Sequence, residues 1–149
     1  MRVNTKRFGE INIETDKIID FPEGIFAFEQ FHRYILLATK EDTEFYWLQC
    51  IDDPGLAFLV VNAAIHLPRY KPQIDNEYLS LLGVNDISKT ECWLILTIPS
   101  NEPGHMTVNL QGPLLINPEK KAGAQFISVD ETHTIRAPFL EYMQTQGQT

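Results

Sequence analysis

The sequence predicts an all-β, mainly antiparallel domain, a small barrel or sandwich with one or two short helices. Three observations predict it. Short apolar or alternating runs recur along the chain, with Gly, Pro, Asn and Asp turn chemistry about every 8–12 residues. The best helix candidate in the chain is only about two turns long. The 149 residues are 44% apolar, enough for one core in one domain. That domain is expected over residues 1–143, with 144–149 a disordered tail.

The elements follow in order. Asn4 to Phe8 and Ile11 to Ile13 read as a hairpin around Gly9-Glu10, with Ile18, Ile19 and Phe21 extending its second arm. Pro22-Glu23-Gly24 stops it, because proline lacks a donor and glycine accepts positive φ. The mixed spacing of Ile25, Phe26, Phe28 and Phe31 predicts a short helical turn with its aromatics inward. Tyr34–Thr39, Phe45–Ile51 and Leu56–Ala64 read as three strands of a meander. The polar turn Lys40–Glu44 and the Asp52-Asp53-Pro54-Gly55 reversal join them. Leu67 to Pro72 reads as extended, its prolines excluding a central strand.

Asp75 is the expected N-cap of a helix of about two turns, with Tyr78, Leu79, Leu81 and Leu82 on one side and Gly83 at C′. Cys92–Ile98 is a strand ended by Pro99, and Asn101-Glu102-Pro103-Gly104 is a turn. His105–Leu110 returns, Gly112-Pro113 interrupts, and Leu114–Ile116 continues. Pro118 to Gly123 reads as a loop and Gln125–Val129 as the last clear strand. Thr134 to Met143 carries no decisive pattern. The strands Phe45–Ile51, Leu56–Ala64 and Cys92–Ile98 are nearly apolar on both faces, so a second layer must cover them. The Phe26–Phe31 segment and the short helix are the expected cover.

Composition limits function. With 20 acids against 12 bases, net charge −8 disfavours direct nucleic-acid binding, which needs cations on phosphates. No apolar run approaches the ~18 residues of a membrane span, and the residues after Met1 carry no apolar stretch, so no signal peptide is expected. Cys50 and Cys92 form no disulfide framework, so a cytoplasmic location with reduced thiols is expected. His32, His66, His105 and His133 are scattered, with no ligand spacing. No Cys-x-x-Cys, phosphate-cradling glycine loop or nucleophile elbow occurs. We expect no catalytic residues, no metal and no cofactor. The alternative is a small β-barrel that binds a ligand or hydrolyses one through an interior carboxylate or histidine.

From Glu41 through Leu67 there is no Lys or Arg but five acids: Glu41, Asp42, Glu44, Asp52 and Asp53. Such a strip would steer a cationic partner.

A set of motifs in order along the chain resembles the FliW flagellar assembly factor family. It comprises Phe8-Gly9, Phe21-Pro22-Glu23-Gly24-Ile25 with Phe28, Leu48-Gln49 and Ala57-Phe58-Leu59-Val60. It continues with Thr97-Ile98-Pro99, Thr107-Val108-Asn109-Leu110, Pro113, Ile116-Asn117, and Gly123 with Gln125. Each also has a plain structural reading: Gly9, Gly24 and Gly123 in turns, Asn109 and Asn117 on neighbouring backbone. The resemblance implies a closed or partly open β-barrel that binds two proteins, flagellin and the basic RNA-binding dimer CsrA. It implies that binding antagonises CsrA allosterically and relieves repression of flagellin translation. On that reading the CsrA-binding surface is expected at Asp52, Asp53, Asn62, His66, Tyr70 and Tyr78. Charge would set encounter there and aromatic anchors the lasting affinity.

Overall fold

The computed structural model describes residues 1–39, 45–99 and 102–146, the last three by backbone only. The polar turn expected at Lys40–Glu44, and Asn101, lie outside the described residues.

Strands β1 (Arg2–Thr5) and β2 (Gly9–Asn12) form the expected hairpin, in register from Arg2 opposite Asn12 to Thr5 opposite Gly9. Its turn is Lys6–Phe8, so Gly9 begins the second arm and does not make the turn. Thr5 holds the reversal: its hydroxyl donates to the Gly9 carbonyl and accepts from the Phe8 amide. The second arm does not run on to Phe21. A 3-10 turn at Thr15–Lys17 diverts the chain, and β3 (Ile19–Asp20) joins a different sheet.

That sheet is a barrel. Its strands are β3, β4 (Arg33–Ala38), β5 (Phe45–Cys50), β6 (Ala57–Asn62), β7 (Glu91–Thr97), β9 (Leu114–Asn117) and β10 (Ala122–Gln125). Pairing runs β7-β6-β5-β4-β3-β10-β9 and returns from β9 to β7, closing seven strands. All pairs are antiparallel except β3 with β10. Strand β7 uses one edge twice: Glu91–Trp93 face β9, while Leu96 and Thr97 face β8 (Thr107–Val108). Strand β8 pairs in turn with β11 (Ala137–Pro138).

The pleat divides the apolar residues by parity, since successive side chains point to opposite faces. Phe21, Tyr34, Leu48, Cys50, Val60, Trp93, Leu114 and Ile116 form one buried cluster, drawn from strands all round the barrel, and fill its interior. Strand β10 contributes Gly123 to that face: a Cβ there would lie 2.7 Å from the Phe21 ring. Gly123 is therefore a packing glycine inside a strand and not the loop residue expected.

The opposite parity supplies outer clusters. Leu59, Val61, Leu94 and Leu96 lie under Leu67, Tyr70, Val108, Leu110 and Phe139. Ile35 packs with Val3 and Ile13 of the hairpin. Leu115 and Ala124 pack with Leu79 and Leu82. The three doubly apolar strands are thus covered chiefly by β8, the Leu67–Tyr70 segment and helix α3 (Phe139–Gln146). The Phe26–Phe31 segment covers part of β6, with Phe28 edge-on to Phe58 at 5.5 Å, but it makes turns, not a helix, and Phe26 points outward.

Three further corrections follow. Strand β6 stops at Asn62, and Ala63–His66 is a short helix, α1, with Asn62 as its cap. The last barrel strand lies at 122–125, three residues before its expected start. Residues 139–146 are helical, where no element was expected, and residues 147–149 of the expected tail lie outside the described residues. The predicted helix is present as α2 (Asn76–Leu79), continued as 3-10 through Leu82. Asp75 caps it, and Gly83 ends it at φ 74°.

Candidate functional site

The β5–β6 turn is built by a buried glutamine. Gln49 Nε2 lies within 3.0–3.3 Å of the carbonyls of Cys50, Asp53, Pro54 and Leu56 and donates into that cradle. Asp53 accepts from the Gly55 amide at 2.9 Å. Asp52 points to Arg33, which donates to it from Nε at 3.1 Å and from the second guanidinium nitrogen at 2.5 Å. The hydrogen bond from Arg33 holds the Asp52 carboxyl below its ordinary range and raises the guanidinium in turn. Asp52 is therefore a compensated charge and Asp53 a turn-forming one. Glu41, Asp42 and Glu44 lie outside the described residues.

Asn62 and His66 stand at the other end of β6, about 17–20 Å from that turn along a six-residue strand. Asn62 Oδ1 accepts from the Ala64 amide at 3.0 Å, which starts α1. Asn62 and His66 share a cavity of about 320 Å³ at the barrel mouth with Leu36, Tyr46, Ile65, Glu91 and Trp93. Ile65 is 69% exposed beside it. The fold therefore brings Asn62 and His66 together and sets Asp52 and Asp53 apart from them.

The two tyrosines separate as well. Tyr70 is 6% exposed; its hydroxyl donates to the Leu110 carbonyl at 2.6 Å and its ring lies 4.8 Å from that of His133. Burial raises its pKa strongly. It is a core residue, not the surface anchor expected. Tyr78 is 57% exposed on α2. It borders a groove of about 330 Å³ with Phe26, Leu81, Ile127 and Val129, over a floor that includes Ala124, Gln125 and Phe126. The sequence alone does not locate this groove. Ile127 and Val129 fall in the expected strand Gln125–Val129, where one face would normally be buried. The signal was present in their period-2 spacing around Phe126 and Ser128, which are the buried pair.

Ser128, His133 and Asp130 fall in a line: Ser128 Oγ is 2.7 Å from His133 Nδ1, and Asp130 is 3.7 Å from His133 Nε2. The serine is buried and its oxygen already accepts from the Gln73 amide, so the group ties the 128–133 stretch to Gln73 and presents no nucleophile to solvent. Burial raises the Cys50 thiol and pushes the Cys92 thiol up to about 12, away from thiolate chemistry. Among the described residues no cluster of three or more His, Cys, Asp or Glu could hold a metal ion. None of the described helices is long and apolar enough to cross a membrane.

Residues 2–140 match the family model described as FliW protein. The chain is 38% identical over 141 residues to the flagellar assembly factor FliW of Leptospira interrogans serogroup Icterohaemorrhagiae serovar Lai, covering 95% of this chain and 94% of that protein. It is 40% identical to the flagellar assembly factor FliW of Geotalea uraniireducens, covering 95% and 85%. A crystal structure of the flagellar assembly factor FliW superposes with a TM-score of 0.82 at 29% identity, over 93% of this chain and 96% of that one. The match spans the hairpin, the closed barrel and its outer layers: this chain belongs to the FliW family of flagellar assembly factors.

Proposed function

We propose that this chain is a cytoplasmic, non-catalytic regulator that binds flagellin and CsrA and relieves CsrA-mediated repression of flagellin translation. The observation that carries the proposal is its full-domain membership of the FliW family. In this scheme flagellin holds the protein while unexported subunits accumulate, and CsrA represses. Export frees the protein, which then engages CsrA away from the RNA surface.

The physical features support a binding role. Net charge −8 favours encounter with a basic dimer and opposes binding to RNA. Among the described residues the barrel interior is filled by Phe21, Tyr34, Leu48 and Trp93, which disfavours the hydrolase alternative. Among the positions first expected to meet CsrA, Asn62 and His66 share one cavity, with Ile65 as an apolar contact beside them. Asp52 and Asp53 would contribute long-range field only.

Calorimetry with purified CsrA and, separately, with flagellin at low salt tests the proposal. A complex with each is expected, and no gel shift with flagellin messenger RNA in the absence of CsrA. Failure to bind either protein, or a shift of RNA by this chain alone, contradicts it.

A further inference from the structure

The groove beside α2 is distinct from the barrel mouth, and its construction specifies an occupant. One wall is helical: Tyr78 and Leu81 stand three residues apart on the outer face of the α2 segment, while Leu79 and Leu82 turn into the core. The other wall is extended: Ile127 and Val129 share one face by period 2. Val129 is 75% exposed and Ile127 59%. Phe26 closes one end, held there by its amide donating to Gln125 Oε1 at 2.9 Å, while Gln125 Nε2 donates to the Gly112 carbonyl. The next residue, Ala27, takes φ 74°, a left-handed conformation that costs a non-glycine residue about 1 kcal/mol or more. The turn that presents Phe26 to solvent is thus maintained against its backbone preference.

The extended wall offers side chains and not a free backbone edge. The amides of Phe126, Ser128 and Val129 already donate to the carbonyls of Pro113, Gln111 and Gln73. A ligand adding as a strand would find few partners there, whereas the apolar face of a helix would find two ridges to lie between. Charge narrows the choice further. Among the described residues Glu23 is the one charged residue lining the groove, and exposed Asp75 and Glu77 border its helical wall. None of these three carboxylates pairs with a base among the described residues. A two-fold dimer across this face would bring acid against acid.

We propose that this groove docks an amphipathic helix of a partner protein whose apolar stripe is flanked by Lys and Arg. The proposal rests on the protein-binding role given above, but on neither partner named there.

The test uses the full chain and three synthetic peptides of about 14 residues, long enough for about four turns. The first has Leu at i, i+3, i+4 and i+7 spacing with Lys elsewhere. The second has Glu for Lys. The third is a scramble of the first without a stripe. Fluorescence anisotropy at ~50 mM salt is read for the unaltered protein, Leu81→Ser, Ile127→Ser and, as a control on the exposed face of the β1–β2 hairpin, Asn12→Ser. The Lys peptide should bind one to one. Either groove variant should weaken it on the order of tenfold, Asn12→Ser should leave it unchanged within about twofold, and the Glu and scrambled peptides should bind on the order of tenfold more weakly. Equal binding of the three peptides, indifference to both groove variants, or a protein dimer that Ile127→Ser dissolves would each overturn the proposal. Calorimetry with CsrA and flagellin on the same preparations separates this failure from failure of the functional reading. Complexes that form undiminished in both groove variants leave that reading standing without the groove.

Discussion

Ala27 adopts a conformation for which glycine is the usual choice. Replacing it by glycine should relieve strain, so Ala27→Gly should be between neutral and about 1 kcal/mol stabilising, whereas Ala27→Val should destabilise by more than about 1 kcal/mol. Urea titration measures both. Gly123→Ala should cost on the order of 1–3 kcal/mol, because its methyl would enter the Phe21 ring inside a closed barrel. Asp52 gives a pH signature. Its folded carboxyl lies below its ordinary value of 3.8, so the Arg33 pair contributes fully above that pH and is lost as pH falls through the lowered range. The stability difference between the unaltered protein and Arg33→Met should therefore shrink below about pH 4, and it should be small throughout because the pair is exposed. A difference that grew on acidification would contradict the assignment. The residues legible in sequence were those whose partners are local. Asp75 caps its own helix, Asn109 accepts from the Gln111 and Gly112 amides, and Asn117 from those of Glu119 and Lys120. Tyr70 was illegible, because its burial is decided by Leu110 and His133, far along the chain.

Among elements, the α2 segment shows how a right boundary can carry a wrong face. Its cap and its terminal glycine were both foreseeable, yet its four large residues do not share one side. Leu79 and Leu82 are buried; Tyr78 and Leu81 are exposed. Leu79→Ala should cost about 2–5 kcal/mol and Leu81→Ala less than about 0.5 kcal/mol, read from denaturant midpoints. Equal costs would mean that the segment is rotated in solution. The strand sequence was legible wherever an apolar run lay between strong turns, as in β4, β5, β6 and β7. It slipped at β10, where Gly123 resembles a turn residue until the Phe21 ring is placed against it. Helix α3 was missed because its support is tertiary: Phe139 is buried, and Tyr142 and Met143 pack at the edge of the outer core.

At the scale of the molecule, the exposed apolar residues of the described chain include those of the barrel mouth at Asn62, Ile65 and His66 and those of the groove at Tyr78, Leu81, Ile127 and Val129. Neither was legible in sequence, since each is assembled from strands and loops that meet only in the fold. The fold class and the family were legible, because alternation, turn chemistry and ordered motifs are properties of the chain itself. The expected single surface for CsrA divides between the β5–β6 turn, the barrel mouth, the core and the groove. Charge acts on the scale of the molecule: association with a basic partner should slow markedly between low salt and ~0.5 M salt, as screening shortens the reach of the field. The most direct test of the central claim is the binding of purified CsrA to this protein, followed by calorimetry at low salt for the unaltered chain and for Asn62→Ala. We predict a saturable complex that Asn62→Ala weakens while its fold persists. No heat and no complex at low salt, with CsrA shown to bind its RNA, would contradict the account.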